Sequence, residues 1–366
     1  RSLGGWPLRM PTVAVESIGA GGGSIARLDT GALRVGPESA GADPGPACYG
    51  LGGALPTVSD ADLVLGYLDA RRPVGDIALN HDAAVKALTP LAKAAGFELP
   101  ALALGIVRVA TASMARALRR VTVERGVDGR DCVLLAFGGA GPMHAVELAR
   151  SFGIGRVIVP CFSSVFSALG CVTAEMSYTQ QRTVRMASDT WDQTRLDGIR
   201  KELMAQLAPL LESAGHTAPA ISEVAAVRYS GQSYAVEVTA PALADPDRLG
   251  EQFRARHQTL YGFATDEPWE LVSLRLTLSA PRRVRPNSFA AKPSGMLAPT
   301  RRTDCWFDNE APVPTPRFAR DALGEGNRLE GPAIVEDDWS TVVLPPGAML
   351  SVDGSSHLHI DVGEAA

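Results

Sequence analysis

Residues 132–159, CVLLAFGGAGPMHAVELARSFGIGRVIV, constrain the fold more than any other stretch. The run 132–137 is continuously apolar, as a strand buried on both faces requires. Gly138, Gly139, Ala140, Gly141 and Pro142 then turn the chain. Residues 143–152 have a helical pattern that stops at Gly153, and 156–159 read as a second strand. Strand, helix and strand at this spacing imply an α/β layer. The turn sets backbone donors and the positive end of a helix dipole beside bare glycine, which favours an anion or a flat base. Close helix–strand packing explains the same glycines without a ligand.

A second glycine cluster lies in residues 17–66, SIGAGGGSIARLDTGALRVGPESAGADPGPACYGLGGALPTVSDADLVLG. Gly19, Gly21, Gly22, Gly23 and Ser24 connect two strand-like segments, 12–18 and 24–29. Successive N–H groups in such a turn can form an anion-binding nest, and a tight strand connection is the plainer alternative. The spacing is neither a dinucleotide fingerprint nor a phosphate loop ending in Gly-Lys-Ser/Thr. Residues 36–57 read as a long ordered loop. Ser59 is a plausible cap for a helix through Leu68, with Asp60 and Asp62 in its first turn.

GADPGPACYG (41–50), PTVSDADLVLG (56–66), VERGVDGRDCVLLAFGGAGPMHAVELAR (123–150), RYSGQSYAVEV (228–238) and EGPAIVEDDWSTVVLPPG (330–347) together resemble the A subunit of the hydantoinase/oxoprolinase family. The resemblance covers the whole chain in order. It implies the second half of an actin-like (ASKHA) ATPase, an α/β lobe followed by an α+β region and a small C-terminal β domain. Such subunits carry an earlier lobe with acidic phosphate turns of the Asp-x-Gly-Gly-Thr type, which this sequence does not contain. The expected partners are that N-terminal lobe, a hydantoinase B-type subunit, and a small cyclic amide or ketone. The implied cofactors are ATP and Mg²⁺. Gly138, Gly139 and Gly141 would pack on adenosine, while the turn from Gly19 to Ser24 would either touch phosphates or shape a path to a second active site. Both turns would form one wall of a single crevice.

With 366 residues, 46% apolar and 20% charged, the chain is globular and long enough for two or three domains. The expected boundaries are 1–180, 181–285 and 286–366. Leu104, Val107, Thr111, Met114 and Leu118 mark a helix over 104–120, and another is expected over 81–95. Further helices are expected from Leu196 to a kink or stop near Pro209, and after the Asp245 cap with Pro246 in first position. Strands are read at 224–229, 234–238 and around Leu274–Leu276–Leu278, with a proline-rich linker at 281–300.

A net charge of -5 argues against a nucleic-acid surface. No apolar stretch reads as approaching the roughly 20 residues that span a bilayer. Five cysteines without a C-x-x-C pair (Cys48, Cys132, Cys161, Cys171, Cys305) suit free thiols in a reducing cytoplasm. The acidic candidates are Asp43 and Asp60 as general base, with Asp62 beside them and Asp43 also suited to Mg²⁺. Against these, Asp before Pro is a common turn former and acids suit a helix start. His144, one turn into the helix after the second glycine turn, stands close to any bound nucleotide, or else is a packed core residue. His357 and His359 are two ligands where structural zinc needs four, so they read as surface residues. Cys48 has no histidine nearby and is not proposed as a nucleophile.

Overall fold

The computed structural model describes residues 15–123, 126–216, 218–239, 245–280, 292–293 and 295–363, plus the backbone of a two-residue ladder pairing Ser2–Leu3 with Trp6–Pro7. The chain divides into two compact units, Arg1–Leu169 with Asn287–Ala366, and Gly170–Pro286.

The first unit opens with an antiparallel hairpin, β1 (Ser24–Asp29) and β2 (Ala32–Ser39). Helix α1 (Val58–Val64) follows, then α2 (His81–Ala95) and α3 (Leu99–Val123). β3 (Leu134–Leu135), α4 (Gly141–Phe152) and β4 (Arg156–Val159) form the expected strand–helix–strand unit, with β3 and β4 parallel. α5 (Phe166–Thr173) comes next.

Several boundaries differ from the sequence reading for definable reasons. α1 is capped by Thr57, not Ser59: the Thr57 side chain and the Asp60 backbone, and the Asp60 side chain and the Thr57 backbone, satisfy one another in a capping box. The segment 36–57 begins inside β2, because its first residues still pair with β1. The expected strand 12–18 falls partly outside the described residues, and 15–18 form no strand. β3 is an edge strand, so Val133, Leu135 and Phe137 stay half exposed where burial on both faces was expected. α3 is long and apolar enough to cross a membrane by length and composition, against the reading that no stretch approaches that length. Half of that window is buried, with Leu102, Ala103, Leu104, Ile106 and Ala110 packed in the core beside α1 and α2.

The second unit carries β5 (Ser177–Ala187), α6 (Gln193–Ser213), β6 (Ala220–Tyr229), β7 (Val236–Thr239), α7 (Pro246–Tyr261) and β8 (Trp269–Ser279). Its strands form one antiparallel sheet in the order β5-β8-β6-β7. Leu196, Leu203, Leu207 and Leu211 form the buried stripe of α6, which runs through Pro209 rather than stopping there. α7 begins as expected, with Asp245 as cap and Pro246 in first position. In the RYSGQ segment, Gln232 Oε1 accepts the Tyr229 N–H at 3.3 Å and its Nε2 lies 3.1 Å from His257 Nε2 of α7, so it closes the hairpin and ties it to that helix. The expected linker at 281–300 lies outside the described residues over 281–291 and at 294.

The remaining strands are β9 (Arg301–Cys305), β10 (Val313–Ala319), β11 (Arg328–Glu330), β12 (Ala333–Glu336), β13 (Thr341–Leu344), β14 (Met349–Val352) and β15 (Leu358–Asp361). They fall in the same compact unit as residues 1–169, where the sequence reading places a linker and a C-terminal β-rich domain at 286–366. β9-β10-β12-β13 make one sheet, but β11 and β14 join β15, β4 and β3 in another. β15 pairs antiparallel with β4, Ile360 opposite Val157. His357 Nδ1 accepts the Cys161 N–H at 3.0 Å, and His359 lies 2.9 Å from Asp353, so neither is a loose surface residue.

The core explains the merger. Arg317 of β10 is fully buried, with Nη1 2.6 Å from Glu336, Nε 2.7 Å from Thr303 and Nη2 on the carbonyl of Gly66, just past α1. A buried guanidinium persists only with such complete pairing. Trp306 N–H also donates to the Leu65 carbonyl at 3.0 Å.

Candidate functional site

Most of the first glycine turn is closed by its own neighbours. Ser24 Oγ accepts the Gly21 N–H at 2.9 Å and donates to the Gly19 carbonyl at 3.3 Å, and the residue is buried. Ser24 therefore locks the turn, where the sequence reading gave it to a nucleotide. A Cβ on Gly19 would come within 2.6 Å of Pro37, on Gly22 within 2.6 Å of Ser59 Oγ, and on Gly23 within 2.8 Å of Ser39 Oγ. Those three glycines admit neighbouring chain. Gly21 alone in this cluster faces open space. Beside the turn lies a cleft of about 560 Å³ lined by Gly19, Ala20, Arg27, Arg34, Arg116 and Arg120. Arg27, Arg34 and Arg120 are paired with Glu38, Asp29 and Glu16.

The second turn is more open. Gly138 has φ +88, a value that suits glycine, and neither it nor Gly141 would have a Cβ meet anything within 4 Å. Ala140 caps α4 without any side-chain hydrogen bond, Pro142 has no N–H and Met143 N–H donates to the Ala140 carbonyl at 3.0 Å, so the Gly141 N–H is the donor this helix start offers an anion. Gly138 N–H donates to the Ser163 carbonyl at 2.7 Å, and Ser340 Oγ donates to the Gly138 carbonyl at 3.2 Å. Gly139 lies under the Trp339 carbonyl, 3.1 Å from where its Cβ would be. Ser163, Trp339 and Ser340 were not singled out from sequence; the segment DDWST (337–341) was the available signal. Trp339 borders a pocket of about 580 Å³ with Cys161, Phe162, Ser164, Lys292 and Arg320.

Gly138, Gly139 and Gly141 line neither this pocket nor the arginine cleft, so neither cavity is the crevice expected between the two turns. They are connected through helices instead. The Gly22 carbonyl accepts the Ser59 N–H of α1 at 2.8 Å, and Asp62 of α1 lies 3.8 Å from His144 of α4.

The acidic candidates divide sharply. Asp60 is fully buried, with Oδ1 accepting from Cys48 N–H at 2.7 Å and Oδ2 from Thr57 N–H at 2.9 Å and Thr57 Oγ at 2.7 Å. Its carboxylate is spent holding the 41–50 loop to α1, which corrects the catalytic reading. Asp43 is exposed in a turn before Pro44 and is free of that constraint. Asp62 is fully buried with both oxygens lacking a hydrogen-bond partner. Burial, then the charge of Asp60, holds its carboxyl well above the usual carboxylate range. Burial pushes His144 down to about 4, so at neutral pH it is an uncharged imidazole. Cys48 is buried with its thiol pushed up by burial and by Asp60, the opposite of a nucleophile. All five cysteines are free. Among the described residues no three His, Cys, Asp or Glu side chains cluster for a metal.

Comparison with known proteins gives two family matches: hydantoinase/oxoprolinase over residues 1–180, and the hydantoinase/oxoprolinase C-terminal domain over 306–362. An uncharacterized protein of Methanocaldococcus jannaschii is 40% identical, over 98% of this chain and 52% of its own. The alpha subunit of caprolactamase from Pseudomonas jessenii is 36% identical, over 97% of this chain and 53% of its own. The nucleotide-free structure of acetone carboxylase superposes with a TM-score of 0.82 at 25% identity, over 98% of this chain and 54% of that one. The chain thus spans about half the length of these relatives.

Proposed function

This chain belongs to the hydantoinase/oxoprolinase family, and we propose that it is part of an ATP-dependent enzyme that hydrolyses a cyclic amide. The fold is α/β, and we assign its first lobe to the second half of an actin-like ATPase. The observation that carries the reading is the second glycine turn, where uncapped α4 and open space at Gly138 and Gly141 leave main chain bare for a ligand.

Bound there, ATP supplies a phosphoryl group that turns an amide oxygen into a leaving group and makes its carbon more electrophilic. This chain's own part is positioning and charge. Gly138 and Gly141 admit the nucleotide against backbone, and the α4 N-terminus faces its negative charge. Ser340 and Ser163 hold the Gly138 peptide in place. Gly21 and the arginine cleft offer a second anionic surface. Asp43, exposed in the 41–50 loop and unconstrained by capping, is the carboxylate suited to Mg²⁺, which needs only one or two protein carboxylates. An earlier lobe and a B-type subunit complete the assembly in this reading, and five free thiols suit a reducing cytoplasm.

Similarity to acetone carboxylase along nearly the whole chain favours a second reading, a subunit that activates a ketone for carboxylation. ATP turnover by the complete assembled protein separates the two. Turnover stimulated by 5-oxoproline or hydantoin supports the amide hydrolase, and turnover that needs a ketone plus bicarbonate supports the carboxylase. Absence of ATP binding by the complete protein refutes both.

A further inference from the structure

We propose that Asp62 is held as a neutral carboxylic acid that donates its O–H to Nε2 of His144, tying α1 and the first glycine turn to α4 and the second. Among the described residues neither the Asp62 carboxyl nor Nε2 of His144 has another hydrogen-bond partner. Asp62 is fully buried and both its oxygens lack partners, and His144, 2% exposed, likewise leaves Nε2 without one. These orphaned atoms face each other across 3.8 Å, and a small side-chain rotation closes that gap to a hydrogen bond of ~2.7 Å.

Chemistry selects the neutral form. A buried carboxylate without a single hydrogen bond is far costlier than the protonated acid. After burial itself, the charge of Asp60 on the same helix reinforces this, while Cys48 and Tyr49 from the preceding turn and Tyr67 just past α1 face Asp62 as protonated groups. Arg108 of α3 and Glu147 of α4 reach the shared neighbour Tyr67 with opposite signs. A neutral imidazole then presents a lone pair on Nε2, and a neutral acid presents the matching proton. The bond joins both turns because Ser59, three residues before Asp62, holds the Gly22 carbonyl, and His144 lies in the first turn of the helix that starts at Gly141.

The consequence for nucleotide binding rests on the proposed ATP reading, whereas the tie itself does not. Thermal unfolding of the complete protein at pH 7 tests the tie. Asp62→Asn keeps an N–H donor toward His144 and melts within about 2 °C of wild type. Asp62→Ala orphans Nε2 and melts roughly 5 °C lower. If Asp62→Ala melts at or above wild type, removal of an unbonded acid was a relief and the tie does not exist. If Asp62→Asn falls as far as Asp62→Ala, a charged carboxylate is required and the neutral form is refuted. Where the complete protein turns over ATP, its KM for ATP rises about tenfold in Asp62→Ala and is restored in Asp62→Asn, with kcat changed less. An unmoved KM overturns the coupling between the turns. A wild-type protein without ATP turnover overturns the functional reading and leaves the melting series to decide the tie.

Discussion

Replacing Asp60 by Asn separates a catalytic acid from a structural one. The substitution keeps size and removes charge. Oδ1 accepts one bond, from Cys48 N–H, and Oδ2 accepts two, from the Thr57 backbone and hydroxyl. If the amide oxygen takes the Oδ2 position, the new NH₂ points at Cys48 N–H, so one bond is lost and two donors meet. If it flips, the Thr57 N–H meets the new NH₂ and its bond is lost, while the Thr57 hydroxyl must rotate to accept from the amide. Each hydrogen bond to a charged group contributes about 1.5–3 kcal/mol, and the bonds that survive lose their charge assistance. The total loss is about 3 kcal/mol, which lowers the melting temperature by roughly 5–10 °C in a unit of this size. The assay pairs thermal unfolding of the complete protein with ATP turnover per folded molecule. Asp60→Asn melts lower and keeps turnover per folded molecule near wild type. A variant that melts with wild type yet has lost turnover shows that Asp60 is catalytic and that its bonds to the loop are incidental.

Stability against pH reads the buried pair from a second side. His144 is depressed from 6.5 to about 4, so its contribution is lost as pH falls from 6.5 toward 4, an effect of about 3 kcal/mol. The raised carboxyl of Asp62 contributes in the opposite sense, losing stability as pH rises above its usual range. Denaturant unfolding between pH 4 and 6.5 is therefore flatter in wild type than in Asp62→Asn, where the histidine acts alone. Gly22→Ala destabilises the fold, since its Cβ would lie 2.6 Å from Ser59 Oγ. Gly21→Ala and Gly141→Ala melt with wild type and weaken ATP binding, measured by calorimetry on the complete protein. Arg317→Met leaves Glu336 without its 2.6 Å partner in a buried setting, and a loss of about 3 kcal/mol in denaturant unfolding is expected.

Local rules carried the sequence reading where the chain satisfies itself locally. α2 ends at Gly96 in the left-handed conformation, and α7 starts at Asp245 and Pro246, because caps are written in neighbouring residues. The 132–159 unit was legible for the same reason. What escaped depends on distant chain. Whether the apolar run around Leu134–Leu135 is central or at an edge is decided by which strands come to pair with it. Nothing near Leu358–Asp361 announces a partner two hundred positions earlier. At the candidate site, the glycines were visible but their purposes were not: Gly22 admits Ser59, whereas a Cβ on Gly21 would meet nothing within 4 Å among the described residues. Asp60 and Asp62 look alike in DAD, yet one is saturated with donors and the other has none. That contrast comes from the loop folded over one face of α1.

The antiparallel match of β15 with β4 also sets a timetable for biosynthesis. β4 leaves the ribosome roughly 200 residues before its mate, a wait of about 10–40 s at common elongation speeds. The 170–286 unit is fully synthesised within that interval, while the nascent first unit still shows an unzipped flank. Translation must pass residue 361 before the older part of the chain can close.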